Sequence, residues 1–273
     1  QDLTPTYLDL KYFPNLDDIH AESCKNLIKV ECKNDNTNPI NLLSSAFKDC
    51  INLTRVVGHY NLTGQETFKG CSKLILNEQP IYDKYGVNTF LNDVDVTNIS
   101  IESTNLTGCF ESCSSIGYDD FRFLMLRLTN NVTTIERMFK GCLEVSGALW
   151  YDMFRKLSSL TIMKDAFSGT GLNGIFYSRT SDYSYADDST WGILDFLPKL
   201  KDAESAFSRT LIEWIDNNVF APRLVNGVLT YSSIVNVTNM FASCMNLKTC
   251  VNTRATNIVS GKLSSETFFI NLR

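Results

Sequence analysis

Asn236-Val237-Thr238-Asn239-Met240-Phe241-Ala242-Ser243-Cys244-Met245-Asn246-Leu247 is the stretch on which a reading of this chain turns. It sets a phenylalanine three residues before a cysteine and the cysteine three before an aliphatic. The same pattern is written at Phe47/Cys50/Leu53, Phe68/Cys71/Leu74, Phe110/Cys113/Ile116 and Phe139/Cys142/Val145. Two further copies, around Phe167 and Phe207, place Thr170 and Thr210 in the cysteine slot. Threonine has about the size of cysteine and bonds backbone through its hydroxyl, so the slot reads as half-buried and structural. A small apolar pattern repeated along a chain predicts stacked, near-identical units, none able to bury its own apolar face alone. The core is therefore expected at Phe47, Cys50, Phe68, Cys71, Phe110, Cys113, Phe139, Cys142, Phe167, Phe207, Phe241 and Cys244.

Each unit is read as a short extended stretch, a tight turn, one helical or 3-10 turn carrying the phenylalanine and cysteine, and a second short strand. The fold class expected is α/β, a solenoid of short strands and single helical turns with irregular repeat length. Residues 1–20 are expected to form an N-terminal cap or first strand and 20–250 the solenoid, with insertions near 77–100 and 173–195. Residues 251–273 are expected to form a C-terminal cap or docking segment.

The Asn-Val-Thr-Asn-Met-Phe-x-x-Cys-x-x-Leu stretch resembles the leucine-rich repeats of the BspA-like, or treponemal, class. Asn131 to Cys142 is a looser copy, and Ser44 to Thr54 looks like its Ala-Phe variant. That resemblance implies a non-enzymatic leucine-rich-repeat module displayed on a bacterial surface or phage particle, binding a host protein or glycan. A structural virion or envelope protein and a carbohydrate-active enzyme on a repeat scaffold are the alternatives. The expected location is extracellular, at a cell surface or on a virion, with neighbouring structural subunits as the other class of partner.

Composition narrows the partners. The formal net charge is −5, with lysines and arginines dispersed among acids, whereas a nucleic-acid-binding domain needs a positive footprint. No run of eighteen apolar residues is present, so no membrane span is expected. The first residue, Gln1, fits a mature chain, a processed fragment or an excised piece.

Catalytic signals are thin. Nucleophile-elbow and phosphate-loop motifs are missing, the two histidines, His20 and His59, lack a metal-binding context, and the adjacent acid pairs point in different directions in regular structure. The chain is read as a non-enzyme with no cofactor and no metal. Nine cysteines leave one without an intramolecular mate, and free cysteine is readily buried as a small hydrophobe.

The strongest recognition candidate is Tyr177, Asp182, Tyr183, Tyr185, Asp187, Asp188 and Trp191, where aromatics alternate with serines and acids. Such mixtures supply rigid contact area beside adaptable hydrogen bonds. Six Asn-x-Ser/Thr sequons begin at Asn52, Asn61, Asn98, Asn105, Asn131 and Asn236. Asparagine and threonine also serve turns and caps, which accounts for them without any modification.

Overall fold

Strands Tyr7–Asp9 (β1), Lys29–Glu31 (β3) and Arg55–Val57 (β5) form one parallel sheet in the order β1-β3-β5. A second parallel sheet joins Asp18–Ile19 (β2), Ile40–Leu42 (β4), His59–Leu62 (β6) and Asn98–Ile101 (β7), in the order β2-β4-β6-β7. The structure is a computed structural model and describes residues 5–13, 16, 18–32, 39–76, 98–176, 196–215, 223–225, 228–230 and 233–247. Gly147–Trp150 (β8), Leu172–Phe176 (β9) and Trp214–Ile215 (β10) make a third parallel sheet, and Arg223–Val225 (β11) pairs antiparallel with Val228–Thr230 (β12).

Alternation along the strands explains these sheets. In β4 and β6, Ile40, Leu42, Tyr60 and Leu62 point into the core, while Asn41 pairs in register with Asn61, whose Nδ2 donates to Asn41 Oδ1 at 3.0 Å. Side chains two apart share a face, so Ile40, Tyr60 and Ile99 form one inward row and Leu42, Leu62 and Ile101 the next. A chain of single parallel bridges, Asn105 to Thr134 to Ile162 to Asp202 to Asn236, continues the parallel pairing where no full strand forms.

The leucine-rich-repeat solenoid with a helical or 3-10 turn in each unit is overturned. Among the described residues there is a single α-helix, Tyr118–Arg127 (α1), and a 3-10 helix at Tyr151–Phe154; neither carries a Phe-x-x-Cys pair. The motif segments are non-helical turns between parallel bridges, and the architecture is α/β with parallel sheets. The physical reason lies in the backbone. The residue two before the phenylalanine has positive φ at Ser45, Glu66, Gly108, Arg137, Asp165, Ser205 and Asn239, and so does the residue two after it at Asp49, Gly70, Ser112, Gly141, Gly169, Arg209 and Ser243. Left-handed residues interrupt a right-handed helical run on both sides of the aromatic.

Inside these turns the phenylalanines stack. Phe47, Phe68, Phe110, Phe139, Phe167, Phe207 and Phe241 follow one another with ring centroids 5.4–6.2 Å apart and interplanar angles of 7–17°. All seven are buried. Helix α1 covers the middle of the row: Asp120, Phe121, Leu124 and Met125 are its buried residues, and Phe121 meets Phe139 and Phe167 edge-on at 5.0 and 5.9 Å. Asp119 and Asp120 in its first turn and Arg127 in its last complement the helix dipole. Residues 251–273, expected as a terminal cap or docking segment, lie outside the described residues, as do 77–97 and 177–195 within the two expected insertions.

Candidate functional site

The cysteine slot is a hydrogen-bonding position. Each thiol donates to a carbonyl of the preceding layer: Cys50 Sγ to Ala21 O at 2.9 Å, Cys71 to Phe47 O and Cys113 to Phe68 O at 3.0 Å, and Cys142 to Phe110 O and Cys244 to Phe207 O at 3.1 Å. Thr170 and Thr210 instead turn their hydroxyls back to their own layer, onto Phe167 O and Phe207 O at 2.9 and 2.8 Å. A buried carbonyl gains a donor in either case, which is why the two residue types alternate in this slot.

Burial favours the protonated thiol at the slot cysteines. Cys24, Cys32, Cys50, Cys71, Cys109, Cys113, Cys142 and Cys244 are unpaired thiols, all but Cys24 buried. Burial pushes Cys50 up to about 11 and Cys32, Cys109 and Cys142 up to about 12, and it raises Cys71, Cys113 and Cys244 as well. The reactive species of cysteine is the thiolate, so the row is chemically quiet. Among the described residues no group of three His, Cys, Asp or Glu side chains is arranged to hold a metal.

Beside the stack, charges are paired with each other. Glu66 accepts from Lys48 and Lys69, both at 2.9 Å; Lys69 also lies 3.2 Å from Glu111, and Arg137 reaches Glu111 and Glu136 at 3.9 and 3.7 Å. Hydrogen bonds from Lys48 and Lys69 hold the Glu66 carboxyl at about 2, well below the usual carboxylate range. Further along, Lys140 pairs with Asp165 at 3.4 Å and Lys164 with Glu204 at 3.0 Å, and Asn236 Nδ2 donates to Glu204 at 3.1 Å. At the other end Lys11, then Lys29 and Tyr7, lower Glu31 to about 2. Acids and bases are interleaved along this flank, within layers and between them, with Glu111 Oε2 and Arg137 Nε buried without a hydrogen-bond partner among the described residues.

The exposed apolar residues have an order of their own. Leu143, Leu211 and Met245 each follow directly on the cysteine slot and are 64%, 53% and 77% exposed. Ile51 occupies the same place near the other end of the row and is 42% exposed. Backbone bonds from Gly141 N to Ser168 O, Gly169 N to Ser208 O and Arg209 N to Ala242 O set these layers in register. Leu143, Gly171, Leu211 and Met245 thus follow one another along one edge. At the ~4.8 Å spacing of paired strands the edge runs about 14 Å. Gly171 sits between the leucines because a Cβ there would come within 2.6 Å of Leu143 O.

The recognition residues expected from the sequence, Tyr177, Asp182, Tyr183, Tyr185, Asp187, Asp188 and Trp191, lie outside the described residues. The expected core residues, Phe47 through Cys244, are placed in the buried stack just described. Sequence reasoning missed the apolar edge and the interleaved charges. Both leave a signal in the motif: a large apolar residue after the slot at Ile51, Leu143, Leu211 and Met245, and a charge after the phenylalanine at Lys48, Lys69, Glu111 and Lys140.

Compared with models of protein families, with curated proteins and with solved structures, the chain matches none. The resemblance to BspA-like leucine-rich repeats is therefore corrected. It rested on the stretches 236–247, 131–142 and 44–54, and the single ten-residue helix among the described residues and the parallel sheets do not form the repeating strand-and-helical-turn unit it implied. The surface-displayed leucine-rich-repeat binding module falls with that architecture, as do the virion-structural and carbohydrate-active alternatives built on the same scaffold. No helix among the described residues is long and apolar enough to cross a membrane.

Proposed function

We propose that this chain is a non-catalytic, rigid parallel-sheet body that engages another protein along the apolar edge of Leu143, Leu211 and Met245. The single observation that carries the reading is this set of three large apolar side chains, exposed in register and separated only by Gly171. Scattered exposed apolar residues are ordinary, whereas aligned ones mark contact surfaces. Lys48, Lys69, Lys140 and Lys164 alongside are engaged in ion pairs, leaving apolar burial as the source of affinity. A protein partner fits this edge; a glycan would call on aromatic stacking, and the residues expected to supply it fall within 177–195. Nucleic acid is disfavoured by the net charge of −5.

The non-catalytic reading is supported by the state of the candidate groups, since burial raises the slot thiols and Glu66, Glu111 and Glu204 pair with lysines. The location proposed is extracellular, at a cell surface or on a virion. Fractionation of the native source tests it.

The edge is tested with a Leu143→Asp/Leu211→Asp/Met245→Asp variant. Its melting is compared with the parent, and association is then followed by analytical ultracentrifugation and by crosslinking in the native source. Loss of a protein contact in a variant that melts like the parent supports the reading. An unchanged set of crosslinked proteins in the native source overturns it.

A further inference from the structure

We propose that Asn131 is an N-glycan acceptor, the sequon among those with described side chains at which the folded chain best accommodates a glycan. Five of the six sequon asparagines have described side chains, and they are not equivalent. Asn61 is 6% exposed on β6 and donates its Nδ2 to Asn41 Oδ1. Asn52 donates Nδ2 to Lys25 O at 2.8 Å and accepts from Lys73 at 2.7 Å. Asn236 donates Nδ2 to Glu204 and accepts from Thr238 N. Asn105 is half-buried, with Oδ1 taking both the backbone N–H and the hydroxyl of Thr107. Asn131 alone of the five is exposed, in the turn that follows α1, where its backbone N–H donates to Thr129 Oγ1 and its side-chain amide makes no hydrogen bond among the described residues.

The difference decides where a glycan is compatible with the folded chain. In glycan transfer the Asn131 Nδ2 forms an N-glycosidic bond to C1 of an oligosaccharide supplied on a polyisoprenyl diphosphate. The C1–O bond to the diphosphate breaks, the lipid diphosphate leaves with the bonding electrons, and Nδ2 loses one proton. Transfer precedes folding, so sequence makes all six sites eligible. A glycan on Asn61, Asn52 or Asn236 would afterwards occupy the space of a side-chain hydrogen bond the fold uses. On Asn131 it would project from a surface turn.

The test secretes the full chain from a eukaryotic host behind a cleavable leader. Site occupancy is read by peptide mapping with and without peptide-N-glycosidase, and Asn131→Gln is run in parallel. The expected result is a monomeric, cooperatively melting chain occupied at Asn131 and unoccupied at Asn61, with the Asn131 glycoform absent from the variant. Should the chain fail to leave the cell, translation into microsomes gives translocated material for the same mapping. Unmodified Asn131 in translocated chain, or full occupancy of Asn61 in folded monomer, overturns the proposal. Asn131→Gln made without glycosylation should melt with the parent, which separates loss of the glycan from loss of the fold.

Discussion

The left-handed residues flanking each phenylalanine show how much one dihedral angle decides here. Gly141 has φ of 75°, and a Cβ built on it would come no closer than 3.5 Å to Ser112 Oγ, so space is not what selects glycine there. Conformation is. An L-residue in this region costs roughly 1–2 kcal/mol, offset in part by its smaller loss of backbone entropy on folding. Gly141→Ala should therefore destabilise the chain by about 1 kcal/mol in urea unfolding. At the equivalent place in another layer Arg209 is exposed with φ of 58°, and Arg209→Gly should stabilise by a few tenths to about 1 kcal/mol. Equal and opposite failure of the pair, with alanine neutral and glycine destabilising, would mean that the turn geometry is wrong. The thiols give a second residue-scale expectation. In a Cys250→Ser chain, Ellman's reagent should titrate Cys24 in the native state and reach the seven buried thiols only on unfolding. Rapid native labelling of several thiols would contradict their burial.

Among the elements, α1 and the phenylalanine stack act together. Phe139 lies between Phe110 and Phe167 at 5.7 and 6.2 Å and takes the edge of Phe121 at 5.0 Å. Phe139→Ala removes a fully buried ring and should cost about 3–5 kcal/mol, whereas Cys142→Ala deletes one small group and one weak donor and should cost distinctly less. A silent Phe139→Ala in thermal melts would remove the stack as the basis of the core. The stack was legible in the sequence because Phe-x-x-Cys-x-x-aliphatic recurs with few substitutions. Its local structure was misread because a spacing of three imitates one helical turn, and nothing in Ser45, Glu66 or Arg137 announces a positive φ. Helix α1 went unread for the opposite reason: Phe121, Phe123, Leu124, Met125, Leu126 and Leu128 are too uniformly apolar for a helical face to stand out. The apolar edge was hidden as well, since exposure of Leu143 or Met245 follows from the turn's direction, which residue type does not encode.

Across the whole molecule, successive layers are joined by backbone bonds and apolar stacking, and their flanks by interleaved charges. Exposed ion pairs contribute little singly, but Glu66 is shared between Lys48 and Lys69 and is mostly shielded from solvent. Its folded carboxyl titrates at about 2 against 4.5 for the free group, a depressed folded value. The stabilising contribution is thus complete above pH 4.5 and is lost as the pH falls from 4.5 towards 2, because the unfolded chain takes up the proton first. Glu31, also at about 2, acts in the same sense. Glu66→Gln should accordingly be less stable than the parent at pH 6, and the difference in urea midpoint should shrink between pH 4.5 and 2.5. Added salt should narrow the gap at pH 6 by screening the partly exposed lysines. If the gap between parent and variant stayed constant from pH 6 to pH 2.5, the charges would be spectators and the layers would be held by the stack and the backbone alone.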